Sequence, residues 1–459
     1  MVSESTLYEP PRPKPLSPVL ALIRAAARGD GDLLSLLPAE AYRMAIGPLG
    51  YSRRSIVIVN APELVRTILY DTKDIFPKND LMVDALEPLV GNSIFVSSGP
   101  EWRRQRAMID PAFSMMRVNR AFTPMRAAVD DCEAKLDAEG GRFSLDLLMS
   151  HLTADVICRT VFSTSLATQT AHDVFEAFTV FERSVAQVEY RRLIMDPAFK
   201  PVVQKPEVLE ACAKIRGHLG DLVDTHLAEG HSFDDIATAV IAARDNFDQK
   251  AFSRKELLDQ LGVLFLAGHE TSASALTWVF FLIATQPEVV RRIRAEVDEV
   301  VGEGEVEFEH TRRMPYIMNV FRETLRLYPP ITFLPRVALE DTMLGEKRVK
   351  RGAMIMVAPW ILHRHDLYWR NPHGFDPDRF LPERKEELTP GAYLPFGIGP
   401  RVCVGAAFAQ TEAALIVARL IRRYDFHLEE AEKVRPAARL TTRPTKQIMC
   451  RVTRAGKTS

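Results

Sequence analysis

The chain has 459 residues, 47% apolar and 26% charged, with 59 Lys and Arg against 60 Asp and Glu for a formal charge of −1. This composition excludes intrinsic disorder, and the even balance of charge excludes a general binder of nucleic acid or other polyanions. Five Cys without a CxxC pair make no disulfide framework and suit a reducing, cytoplasmic setting.

In chain order, residues 1–16 are polar and Pro-rich, without the basic start and apolar run of a secretory leader. Residues 17–28 are apolar but interrupted by Arg24 and Arg28. They predict a short surface helix and no transmembrane anchor, since a span needs ~20 residues. Residues 55–60 read as a β-branched strand, after which Asn60 is placed to cap a helix that carries Pro62. Residues 77–100 read as loop. Helical periodicity resumes at Glu101, and Gly140 with Gly141 closes a helix from about Val118. Residues 145–245 predict successive amphipathic helices, broken near Pro201, Pro206 and residues 229–232.

Ser253 and Glu256 form a capping box ahead of an apolar run that reaches Pro287, about 33 residues or roughly 50 Å of helix. An acidic helix ends at Gly302, and another runs from Pro315 to Pro329. Residues 342–358 predict strands turning at Gly345 and Gly352. Residues 370–402 hold six Pro and little periodicity. A last long helix runs from about Gly405 to Arg423, ending in basic residues as the helix dipole prefers, and residues 438–453 are strand-rich. The sum is a mainly α fold with a minor β region. Length alone suggests about three domains, but no linker is visible.

Chemistry concentrates at residues 396–405, FGIGPRVCVG. Cys403 follows a Gly/Pro-rich loop, stands two residues after Arg401 and precedes a long helix. Those surroundings stabilise a thiolate, suited to a soft metal or to nucleophilic attack. The plain alternative is a buried free Cys. A dinucleotide loop is excluded by the missing third Gly and by Pro400. Phe396, Gly399, Arg401, Cys403 and Gly405 match FxxGxRxCxG, with a chance probability on the order of 10⁻⁴. The chain thereby resembles the cytochrome P450 family of haem-thiolate monooxygenases, soluble bacterial type, over roughly residues 50–455.

The resemblance implies one P450 domain over residues 31–459 behind a Pro-rich segment, 1–30. Haem b would lie between the long central helix and the Cys loop. Cys403 would be the axial iron ligand, with Phe396 and Gly397 against the macrocycle. In the long helix, Ala267-Gly268-His269-Glu270-Thr271 sets a Gly and three polar residues in an apolar run. The Gly costs ~1 kcal/mol, and a buried carboxylate needs a partner. A kink packed on a neighbouring helix would account for the Gly. A zinc-protease reading fails, because residue 273 is Ala. The family's [AG]GxxT implies that Ala267 and Gly268 make room for a bulge and for O2, and that Thr271 and Glu270 handle protons. His269 reads as a packed residue.

Glu323 and Arg326 share a helix face, an arrangement common on solvated helices and weak there. They match the family's ExxR, and Pro377-Asp378-Arg379-Phe380 resembles its PxRF partner, which implies a buried lock of Glu323, Arg326 and Arg379. Trp102 and Arg106, one helical turn apart, with Arg336 and Arg401, match the family's haem-propionate contacts.

The implied activity is insertion of one oxygen atom of O2 into a C–H or C=C bond. Electrons would come from NAD(P)H through a separate ferredoxin-type or flavodoxin-type donor. Arg103, Arg104, Arg364 and Arg401 are expected on or near its docking face. A peroxide-using peroxygenase and a non-catalytic haem or ligand-binding protein are the alternatives, and neither gives the Glu270-Thr271 pair a purpose. By position in the family, the substrate wall draws on Met82, Leu86, Leu89, Phe95, Phe178, Phe181, Val185, Phe265, Ile331, Phe333, Leu334, Leu440 and Thr441. This largely apolar set implies a lipophilic substrate. Arg191 and Arg192 read as a solvated helix face, and a monomer is expected.

Overall fold

The computed structural model describes residues 7–17, 20, 32–48, 55–71, 73–185, 197–229 and 233–456. The helix expected within residues 17–28 lies almost wholly outside them, as do Arg191 and Arg192. Among the described residues the helices of seven residues or more are α1 (Pro62–Leu69), α2 (Asp80–Val90), α3 (Gly99–Ile109), α4 (Met115–Glu139), α5 (Leu145–Phe162), α6 (Gln169–Val185), α7 (Pro206–Glu229), α8 (Ile236–Ala242), α9 (Arg254–Ala284), α10 (Pro287–Val301), α11 (Pro315–Leu327) and α12 (Ala406–Arg423).

The helix α9 is the axis. Ser253 Oγ accepts the Glu256 N–H, and Glu256 accepts the Ser253 N–H at 2.7 Å, so the capping box closes as the sequence predicts. From Leu257 onward nearly every residue of α9 is buried, which is why its sequence is apolar on all sides. The helix α5 packs along it, with α2 and α7 on one flank and α11 and α12 on another. Gly268 serves the α5 contact: a Cβ there would meet Ile157 Cδ1 at 2.4 Å. The anticipated bulge is absent, and α9 runs unbroken.

The strands lie to one side. A four-stranded sheet orders β1 (Ile46–Pro48), β2 (Ile56–Val59), β7 (Met354–Val357) and β4 (Leu334–Val337), with β2 parallel to β7 and the other pairs antiparallel. β3 (Gly141–Ser144) and β8 (Tyr424–Leu428) flank β11 (Met449–Arg454). Two hairpins complete the set: β5 (Thr342–Leu344) with β6 (Lys347–Val349), and β9 (Pro436–Ala438) with β10 (Thr442–Pro444). The β5–β6 turn uses Gly345 at φ 59°.

Two local expectations fail. Asn60 is not the cap of α1; its amide donates to the Ala41 and Met44 carbonyls, and Ala61 takes the cap position without a side-chain bond. The stretch expected as loop at 77–100 contains α2, capped by Asn79 on the Leu81 N–H at 3.1 Å. Its Pro88 sits in the last turn of the helix. Residues 7–16 lie across the body: Tyr328 Oη donates to the Pro11 carbonyl at 2.6 Å, and the Phe375 N–H donates to that of Tyr8 at 2.9 Å. Among the described residues no single helix is long and apolar enough to cross a membrane.

Candidate active site

A cavity of about 2010 Å³, counted to its open mouth, lies between α9 and the loop that precedes α12. Its floor is Pro395, Phe396, Gly397, Ile398, Cys403 and Gly405; its roof is Ala267, Gly268, Glu270 and Thr271.

The floor loop is fixed by its backbone. Gly399 has φ 78°, and a Cβ there would meet the Leu69 carbonyl oxygen at 2.6 Å, so only Gly fits. The Cys403 N–H donates to the Phe396 carbonyl at 2.9 Å, and the Val402 N–H to that of Gly399 at 3.0 Å. Cys403 thus faces the cavity just before α12. Burial pushes its thiol pKa up, while the Gly405 N–H and Arg106 pull it down. The expected thiolate partner Arg401 is displaced in this role by Arg106. Burial prevails; a metal bound to the sulfur would deprotonate it outright.

Along one wall Lys78, Arg336 and Arg401 converge. Burial lowers the pKa of Arg336 and Arg401 to about 10 each, and Arg401 further lowers that of Arg336. Lys78 is pushed well below its usual value by burial and by both arginines, and it lies 4.6 Å from the Phe95 ring centroid. Among the described residues none of the three is ion-paired with a carboxylate. Arg401 stacks over Trp102 at 4.3 Å and donates to the Ser97 carbonyl. Arg106 donates to the Val402 carbonyl at 2.7 Å and pairs with Asp110. Unpaired buried cations are costly. A group that brings two carboxylates, as haem does with its propionates, removes that cost, so the residues present fit an iron porphyrin. Lys78 was not recognised in the sequence, where it stands alone in PKND.

At the roof, Thr271 Oγ1 donates to the Ala267 carbonyl at 2.6 Å. Glu270 is held by Arg443 Nε at 2.9 Å and by the Thr441 hydroxyl at 2.6 Å. Burial raises its pKa, but Arg443 outweighs that and holds it below the ordinary value. Ser272 donates to Glu412 at 2.5 Å; with no cation beside it, burial raises Glu412 to about 8. His269 is packed as expected. Phe175, Phe178 and Phe265 enclose it with ring centroids 5.2–5.9 Å away, and burial lowers its pKa to about 4.

The lock lies beneath the floor. Glu323 and Arg326 are fully buried and joined by two hydrogen bonds of 2.7 Å; Arg379 Nε lies 3.5 Å from Glu323. Arg326 also donates to the His363, Pro372 and Gly374 carbonyls, and Arg379 to that of Arg370. Asp378 faces away and pairs with Arg292 at 2.7 Å.

Of the expected substrate residues, Leu86, Phe95, Ile331, Leu334, Leu440 and Thr441 line the cavity. Phe178, Phe181 and Phe265 do not; they are core, and two of them form the cage around His269. Met82, Leu89 and Phe333 pack against the core instead. The side chain of Val185 lies outside the described residues. Arg364 is not on a docking face: it is 2% exposed and stacks on Trp360 at 3.7 Å.

The cytochrome P450 family model matches residues 42–451. Cyclooctatin synthase of Streptomyces melanosporofaciens is 33% identical over 433 residues, 92% of this chain and 91% of that one. The chain belongs to the cytochrome P450 family. Cyclooctat-9-en-7-ol 5-monooxygenase of the same organism is 33% identical, covering 89% of this chain and 87% of its own. The fold is that of the cytochrome P450DA haem domain, with a TM-score of 0.80 at 22% identity over 98% of both chains. This P450 is a haem-dependent monooxygenase that acts on a lipophilic substrate with electrons from a redox partner.

Proposed function

We propose that this P450 hydroxylates or epoxidises a compact cyclic hydrocarbon skeleton of the terpenoid class. The observation that carries the reading is the substrate wall. Leu86, Ile94, Phe95, Val263, Leu264, Ile331, Leu334 and Leu440 are apolar and come from several separate segments around the cavity. The relative that acts on cyclooctat-9-en-7-ol, an unsaturated ring alcohol by its name, supports the same class.

Haem, when bound through Cys403, supplies oxygen activation and insertion. Lys78, Arg336 and Arg401 hold its carboxylates, with Trp102 and Arg106 beside them. Thr271 presents a hydroxyl to the cavity, with the Ala267 carbonyl as its resting acceptor, and Glu270 governs the proton supply. The apolar wall excludes water from the reacting centre. Electrons come from NAD(P)H through an acidic ferredoxin-type or flavodoxin-type protein, in the cytoplasm; of the arginines expected to steer it, Arg103 is exposed beside Asp74, whereas Arg104 is taken up by Glu101 and Glu256 and Arg401 faces the cavity. Residues 31–459 act as one domain.

The test is a titration of the ferric Soret band. A shift toward high spin is expected with a polycyclic terpenoid and not with a long-chain fatty acid. A shift with the fatty acid alone overturns the substrate class.

A further inference from the structure

Glu270 is ionised and gripped, which is a poor state for a residue that must give up a proton. Two Arg443 nitrogens and the Thr441 hydroxyl bind its two oxygens. A second carboxyl stands behind it. Glu182, on α6, has its Oε1 4.0 Å from Arg443 Nε, on the same guanidinium that holds Glu270. The two acids therefore share one guanidinium. They differ in access: the Glu182 side chain is 17% exposed and that of Glu270 is 2% exposed. Glu270 and Thr441 line the cavity and Glu182 does not, so the order from solvent inward is Glu182, Glu270, cavity.

We propose that Glu182 is the outer member of a two-carboxyl proton relay, passing a proton from solvent to Glu270 and on to the cavity at Thr441 and Thr271. In the step, the O–H bond of Glu182 breaks and an O–H bond forms on Glu270. Arg443 then shifts its charge toward the new Glu182 carboxylate, and water returns a proton to Glu182. No electrons move, and the proton is consumed where oxygen is reduced. Of two carboxyls that share one site, one has its pKa strongly raised. Burial and the Glu270 charge raise Glu182 to about 7, so it carries the shared proton near neutrality. Among the described residues the other charged or titratable groups facing the pair are Arg439 beside Glu182, His269 beside Glu270, Asp146 beside Arg443 and His151 beside His269. Ser150 accepts from Arg443 at 3.2 Å.

The proposal rests on the reading of Glu270 as governing protons, and the experiment separates the two. Glu182→Gln, Glu182→Asp and Glu270→Gln holoenzymes are compared for peroxide released per product across pH, and by infrared titration of their carboxylic-acid bands. Glu182→Gln is expected to raise peroxide per product on the order of ten-fold, less than the roughly 100-fold or more of a direct general acid. It should also abolish a carboxylic-acid band that titrates near neutrality in the wild type, and Glu182→Asp should restore both. Uncoupling by Glu270→Gln without any by Glu182→Gln overturns the role of Glu182 alone. On a Glu412→Gln background, which removes the other buried acid of raised pKa, a neutral-pH band that survives Glu182→Gln overturns it independently of turnover. If Glu270→Gln leaves coupling unchanged, the role of Glu270 falls and the proposal falls with it.

Discussion

On one wall of the cavity Lys78, Arg336 and Arg401 meet with no ion-paired carboxylate among the described residues, whereas at the roof one arginine, Arg443, serves both Glu270 and Glu182. The lock under the floor resembles the roof: Arg326 and Arg379 close on Glu323. Charges paired within the chain are part of the scaffold or its proton wiring. Charges left unpaired on the cavity wall mark where a ligand must bring the opposite sign; Arg364, away from the cavity, rests on aromatic rings instead. Burial alone does not separate the two cases, since Arg336 at 4% and Arg443 at 7% exposure are equally hidden.

The lock offers the largest break. Glu323→Gln leaves two buried guanidiniums with a neutral partner, and loss of about 3–5 kcal/mol is expected for breaking a buried pair from one side. The check is urea unfolding together with the yield of haem-containing protein, both of which should collapse. Next comes a direct contrast of wall and roof. Arg443→Met should destabilise the fold with or without haem, because Glu270 is left buried without its cation, with the Thr441 hydroxyl as its remaining donor. Lys78→Met should leave the haem-free protein as stable or more so, and should weaken haem retention by about 1.5–3 kcal/mol, the worth of a hydrogen bond to a charged group. Transfer of haem to an acceptor protein measures retention, and equal stability losses in both variants would erase the contrast.

The smallest effect concerns Glu412, a buried acid with no cation beside it. Its folded-state pKa of about 8 lies above the ordinary 4.5, so the folded protein keeps a proton that the unfolded chain releases. Its stabilisation is full below 4.5 and is lost as pH rises through about 8. Glu412→Gln removes that falling limb. The Tm of the variant relative to wild type should rise over this window by about 2 °C or more, read by calorimetry of the holoenzyme.

What the sequence showed and what it hid divide by range. The box at Ser253 and Glu256 and the pair Glu323–Arg326 each lie within ten residues and close in the fold as read; the loop around Cys403 closes too, but the cation that acts on the thiol is Arg106, not Arg401. Arg443 meets Glu270 across 173 positions, and Lys78 meets Arg336 only through an isolated bridge. No local pattern announces either. Periodicity also fails to say which apolar surface a helix side chain joins. Phe178 and Phe265 carry the composition of a substrate wall, yet they face His269. Arg364 reads as surface because it is an arginine, but Trp360 and Tyr328 shelter it in the core.

The wall that meets substrate is assembled piecemeal: Leu86 from α2, Ile94 and Phe95 from the turn after it, Ile331 and Leu334 from the approach to β4, and Leu440 and Thr441 from the β9–β10 hairpin. Each piece hangs from a different part of the scaffold, and apart from Thr441 none holds a proton-handling group. Substrate preference can therefore drift one segment at a time while Thr271 and Cys403 stay fixed, which makes this cavity a surface that selection or a designed library can retune without rebuilding the catalyst.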